Sequence, residues 1–273
     1  MEKKYIMTDE TKIVNGRTLH RIKATRNFDD IDAGTLGGWI EKEDNLSQEG
    51  RCWVFPNSMV YDNAKVYNNA LVFDNALIFG EAHVYGEAHV YGNAHVFDRA
   101  KVYGHAHVFD RAHVYEDVHV FDRAKIYEDA HVFDRAKVYG QACVHGKAHI
   151  YGEVCVYENA NVFGETDVYD RAKVFEDAWV FDSANVYGNA LVYGNAYVFH
   201  RAKVYEDAHV FDKAKVCGNA RVHGNARVHG EAEVHGGARI YGAARVYGDA
   251  LVSGILEIYN IIIENNSKDS FLW

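Results

Sequence analysis

From Val54 to Ile258 every sixth residue is Val or Ile, thirty-five in succession with no insertion. Two residues before each stands a small residue, nearly always Ala, as at Ala64, Ala70, Ala76 and Ala82; Ser58, Val118, Val154, Thr166 and Leu256 are among the exceptions. A period of six matches neither the 3.6-residue turn nor a heptad, so no helix carries it. Within a unit such as Ala130-His131-Val132-Phe133, small, polar, branched and aromatic residues alternate as in a strand of about four residues. Ala and Val then share one face, His and Phe the other. The following pair, Asp134-Arg135 here and Gly-Asn elsewhere, is turn chemistry.

Short strands joined by two-residue corners at one fixed period make a β-solenoid, whose coils pair only with their neighbours. Three strands per coil give a triangular turn of 18 residues, with Val at the middle of each side and Ala near each corner. A second count competes. From Phe97 to Tyr139 the aromatics alternate Phe and Tyr, a local repeat of twelve that fits either a flattened two-sided coil or duplication of a two-unit segment. The alternation dissolves around residue 187, which favours duplication and the three-sided coil. Each branched side chain contributes roughly 1.5–3 kcal/mol on full burial, offset by ordering the chain. Some eleven coils about 4.8 Å apart imply a rod roughly 55 Å long.

The two ends leave this register. Residues 1–50 read as a β cap: Asn15-Gly16 between apolar-rich strands signals a hairpin, and Trp39, Ile40, Leu46 and Cys52 offer apolar anchors. A solenoid needs its first coil covered, because an open strand edge recruits other chains. Residues 51–260 are then the β-helix, and 261–273 a closing segment and tail, the stretch ILEIYNIII being rich in large apolar residues.

Composition excludes several functions. A net charge of −10 and a pI near 5.9 leave no basic face to meet phosphate. MEKKYIMTDETK lacks a signal peptide's apolar core, and no apolar run is long enough to cross a membrane. Cys52, Cys143, Cys155 and Cys217 have neither metal-like spacing nor a disulfide framework, which suits a reducing compartment. The expectation is a cytoplasmic protein that binds neither nucleic acid nor membrane.

The segment LHRIKATRNFDDIDAGTLGGWIEKEDNLSQEG, followed by tandem AxVYGNAxVYG units, resembles the YdcK-like β-solenoid proteins of bacteria and their phages. The resemblance covers essentially the whole chain, and GGWIEKEDNLSQEG sharpens it. It implies an all-β fold, a single-stranded left-handed parallel β-helix of the hexapeptide-repeat type with an N-terminal cap. It also implies the label acyltransferase-like, with no catalytic residue set to carry over.

Thirty-five units without an inserted loop leave no place for the loop, boundary histidine and acyl-donor cleft of hexapeptide acyltransferases. Fold alone does not confer activity, and His20 is the cap's only histidine. His223, His229 and His235, six apart, would fall on three different sides. The spacing that aligns side chains is eighteen, as in His95, His113, His131 and His149, and no carboxylate or thiol repeats beside that column. No metal or cofactor is expected. Corner pairs such as Asp98-Arg99 and Asp110-Arg111 put both charges at each bend, and Arg and Lys interrupt the one-sign rows that nucleic-acid mimicry requires.

Outward Tyr or Phe follows most of the Val positions and finds partners by stacking along its column. Every third unit from Val54 marks the most apolar side, with Trp53, Phe55, Leu71 and Phe73, then Phe163, Trp179, Phe181, Tyr197 and Phe199. On the other sides the residue before Val is mostly His, Lys or Arg. A contiguous aromatic patch marks a contact surface, so Phe163, Trp179, Phe181, Tyr197 and Phe199 are the candidate binding residues. The expected function is a non-enzymatic rigid scaffold for protein or self-association, with an acyltransferase-like enzyme as the alternative.

Overall fold

A computed structural model describes residues 2–265. Its contacts form two units, one up to Asp134 and one from Arg135 onward. Each contains three parallel sheets whose neighbouring strands lie 18 residues apart. In the first unit Val54 faces Val72, Val60 faces Ile78 and Val66 faces Val84. In the second, Val162 faces Val180, Val168 faces Val186 and Val174 faces Val192. The three-sided coil is therefore the observed one, and the Phe/Tyr alternation does not set its register. All the Val and Ile positions from Val54 to Ile258 are buried, as are most of the Ala positions two before them.

Most repeat strands are shorter than the alternation suggests: two residues, as in Lys65–Val66, with longer ones such as Arg245–Gly248 near the end. Corners take the rest of each unit. Even so, each unit bonds to the next coil along its whole length. The Lys65, Tyr67 and Asn69 N–H groups donate to the Ala82, Val84 and Gly86 carbonyls at 2.8, 3.1 and 2.9 Å.

The first corner residue takes a positive φ, about 58° at Asp110 and 60° at Glu116. That conformation costs an ordinary L-residue roughly 1–2 kcal/mol. A local hydrogen bond offsets it. The Glu116 carboxylate accepts the Asp134 N–H at 2.7 Å, and the Asp110 carboxylate accepts the Glu128 N–H at 3.3 Å, each one coil on. Glycine fills the same position where coils approach closely; a Cβ on Gly140 would lie 2.6 Å from the Glu158 nitrogen.

The N-terminal segment adds β1 (Tyr5–Val14), β2 (Arg17–Ala24) and β3 (Leu36–Ile40). The first two form an antiparallel hairpin turning at Asn15-Gly16, and β2 pairs antiparallel with β3. Strand β3 then pairs parallel with the first repeat strand on its side, Trp39 facing Met59 and Ile40 facing Val60. Gly37 and Gly38 make this possible. A Cβ on Gly37 would lie 2.6 Å from both Ile22 Cγ1 and Trp53 Cζ2, and one on Gly38 2.5 Å from the Phe55 carbonyl oxygen.

A 3-10 turn, Glu43–Asn45, follows. Asn45 is buried and its side chain replaces a missing corner. Its amide donates to the Asp62 and Ala64 carbonyls at 3.1 and 2.9 Å, and its oxygen accepts the Glu41 and Lys42 N–H groups.

At the far end, Arg245 faces Ile262, 17 residues on rather than 18. Within ILEIYNIII, Ile258 is buried, whereas Ile255, Ile261 and Ile262 are exposed. The tail from residue 266 lies outside the described residues.

Candidate functional site

The five candidate residues come from three successive coils of one sheet in the second unit, as the 18-residue register requires. Asn161–Val162 pairs with Trp179–Val180, which pairs with Tyr197–Val198. Because Val162, Val180 and Val198 point inward, the residues on either side of each point outward. Phe163, Phe181 and Phe199 stack face to face, with centroids 5.1 and 5.0 Å apart and planes within 5°.

Trp179 stands beside this stack, in the neighbouring column. Its ring stands at 82° to that of Phe163, with centroids 5.9 Å apart, and tilts 31° from that of Tyr197 at 6.1 Å. It remains 39% exposed, while the other four are half-buried. Two polar residues bound the column. Asn161 lies one coil before Trp179, and Lys215 one coil after Tyr197, where it is ion-paired to Glu233 at 2.6 Å.

The stacks themselves are not special to this side. In the first unit Tyr61, Phe79 and Phe97 stack on a second side, and Tyr67, Tyr85 and Tyr103 on the third. Burial within such columns, and then the neighbouring phenols, push the Tyr187 hydroxyl up to about 12. What distinguishes Trp179 and Tyr197 is an aromatic ring at the position before Val, which in the first unit holds His89, His107 and Lys125 at the same spacing.

One residue expected to be exposed on that side is covered. Trp53 is fully buried, edge-on to Phe28 and Tyr5 with centroids 5.4 and 6.3 Å apart. The N-terminal segment folds over it, so in the first unit the outward column begins with Leu71, Phe55 and Phe73. No periodic signal marks Trp53 as different, because its cover comes from residues outside the repeat.

The edges are occupied by their own charges. Arg99 pairs with Asp117 at 2.6 Å, Arg111 with Asp129 at 2.7 Å, and Glu153 with both Arg135 and Arg171 at 2.8 and 3.3 Å. Pairs therefore run from one coil to the next rather than within a corner. Each is exposed and contributes about 0–1 kcal/mol. Shallow grooves follow these edges, one lined by Arg135, Glu153, Asp170, Arg171 and Asn189, another by Glu81, Asp98, Arg99 and Glu116. Their charges already serve neighbouring coils.

In the cap, the His20 Nδ1 is 3.2 Å from the Thr8 carbonyl oxygen. Trp39 receives Lys12 and Arg21 against its ring, 5.8 and 5.7 Å from the centroid. Among the described residues, no three His, Cys, Asp or Glu side chains gather as metal ligands, and no helix is long and apolar enough to cross a membrane. The four cysteines are free thiols.

A family model described as the YdcK β-solenoid repeat matches residues 214–230 and 238–254. Over 42 residues the chain is 45% identical to a protein of Escherichia coli (strain K12) named "Uncharacterized acetyltransferase YdcK". That stretch is 15% of this chain and 13% of the relative, so the match spans a small part of either. The matched repeats follow the same six-residue register as the other coils, and over these stretches the chain is similar to the YdcK β-solenoid proteins.

Proposed function

We propose that this chain is a rigid, non-enzymatic β-solenoid scaffold that associates, with itself or with a protein partner, through the outer aromatic side formed by Phe163, Trp179, Phe181, Tyr197 and Phe199. One observation carries this reading: between Leu36 and Ile255, Trp179 is the one exposed large apolar side chain among the described residues. Most other outward Tyr and Phe rings of the coils are half-buried in their stacks. Trp and Tyr suit contact surfaces because they bury large areas while losing few rotamers. The reading places the protein in the cytoplasm of a bacterium or a phage-infected cell, and it requires no cofactor, nucleic acid or membrane.

The name of the Escherichia coli relative favours a second reading, an acetyltransferase-like enzyme that holds an acyl donor. Two measurements on the pure chain separate them. Sedimentation velocity over a concentration series, with capture of partners from the host, is expected to show association. Calorimetric titration with acetyl-CoA is expected to show no binding. Saturable acetyl-CoA binding by a chain that neither self-associates nor captures a partner would reverse the order of the two readings.

A further inference from the structure

We propose that the outward histidine columns of the first unit bind a late first-row divalent cation, Ni²⁺ or Zn²⁺, between imidazoles one coil apart. The paired histidines lie in the first unit, and the aromatic residues proposed for association lie in the second. His89 and His107 face each other on neighbouring parallel strands, with ring centroids 4.9 Å apart. On the adjacent side His95 faces His113 at 4.8 Å, and His113 in turn meets His131 at 4.6 Å. The coil register sets this spacing, so the rings are held side by side without a loop to order. Imidazole is a preferred ligand of Zn²⁺, Ni²⁺ and Cu²⁺.

Two further observations support the assignment. The fold does not require histidine here, since the equivalent positions hold Leu77, Asn185 and Lys203 on one side and Leu71, Lys125 and Asn161 on the other. The four rings of His89, His95, His107 and His113 are half-buried.

Nearby carboxylates are engaged elsewhere. Glu87 accepts from Asn69 and pairs with Arg51, and Asp129 pairs with Arg111. No three potential ligands converge on one point among the described residues. An ion therefore takes two imidazoles and completes its shell with water, which makes the site exchangeable rather than structural.

The test is a calorimetric titration of Ni²⁺ into the metal-free full chain near neutral pH. Wild type is expected to bind saturably and to release the ion on acidification, because protonated imidazole is not a ligand. H107N/H113N removes one partner from each column and is expected to weaken binding on the order of tenfold or more. Asn occupies the same position at Asn161 and Asn185, so the variant is expected to melt as wild type does without metal. H200N/H209N removes as many imidazoles from places where the ring neighbours are Phe199 and Tyr193, and is expected to bind as wild type does. Absence of saturable binding, equal binding by wild type and H107N/H113N, or equal losses in both variants would overturn the proposal. So would loss of binding after thiol alkylation.

Discussion

The Lys4 ammonium donates to the Cys52 carbonyl at 2.9 Å and lies 3.2 Å from the Cys52 thiol sulfur, and neither residue reaches solvent. The Glu49 and Gly50 carbonyls lie 3.3 and 3.4 Å from the same nitrogen, and the Phe28 ring centroid 5.3 Å away. Burial pulls the amine below its ordinary value and pushes the thiol up. β1 is thus tied to the chain entering the first coil by a buried amine whose partners are mostly backbone.

Lys4→Met keeps most of the side-chain volume but leaves the Cys52 carbonyl without this donor. The expected cost is about 1–3 kcal/mol, read from urea denaturation. Faster amide exchange should appear in β1 and β2 first. Wild-type stability in this variant would show that the amine does not hold the cap.

Asn45→Ala removes two donors and one acceptor from a buried corner and is expected to lower stability by about 2 kcal/mol or more. Asn45→Asp should not restore it, because a carboxylate cannot donate to the Asp62 and Ala64 carbonyls. Thermal melts of the two variants distinguish loss of these bonds from loss of volume.

Val132 points into the core and Lys125 outward. Val132→Asp places a charge where no partner is available, at a cost of several kcal/mol. Lys125→Asp should change stability by only about 0.5 kcal/mol. Similar melting temperatures for the two would contradict the inward and outward assignment.

These contrasts show where the chain's own pattern is informative. The spacing of Val and Ile is enough to place Val132 inside and His131 outside, because a two-residue alternation repeated every six residues admits one inward set. The same spacing brings Phe163, Phe181 and Phe199 into one stack. It says nothing of Trp53, which occupies an outward position yet is covered by Tyr5 and Phe28 from outside the repeat. Nor does it reveal Asn45, whose role depends on meeting carbonyls 17 and 19 residues away. The turn chemistry at Asp110 and Glu116 was legible, but the coil-to-coil bond that relieves their backbone conformation depends on the three-sided register.

Acid is expected to destabilise the protein through its histidines. Burial holds His83, His89, His95, His107, His113 and His209 below their ordinary pKa. The unfolded chain therefore binds more protons as pH falls past about 6.5, and stability rises with pH in that range. The contribution is fully present above that value and is lost as pH falls through the folded-state pKa values. Denaturant midpoints measured from about pH 8 to pH 5 should fall, and H95N/H113N should flatten part of the slope. A rise in stability on acidification through this window would contradict the sign.

The most direct test of the account is sedimentation of Trp179→Ser/Phe181→Ser beside wild type, with partner capture from the host. Both side chains lie on the outer surface, so the account predicts an unchanged circular dichroism spectrum, a melting temperature close to wild type, and weakened association. Association and capture equal to wild type would contradict it and leave the aromatic side without a contact role.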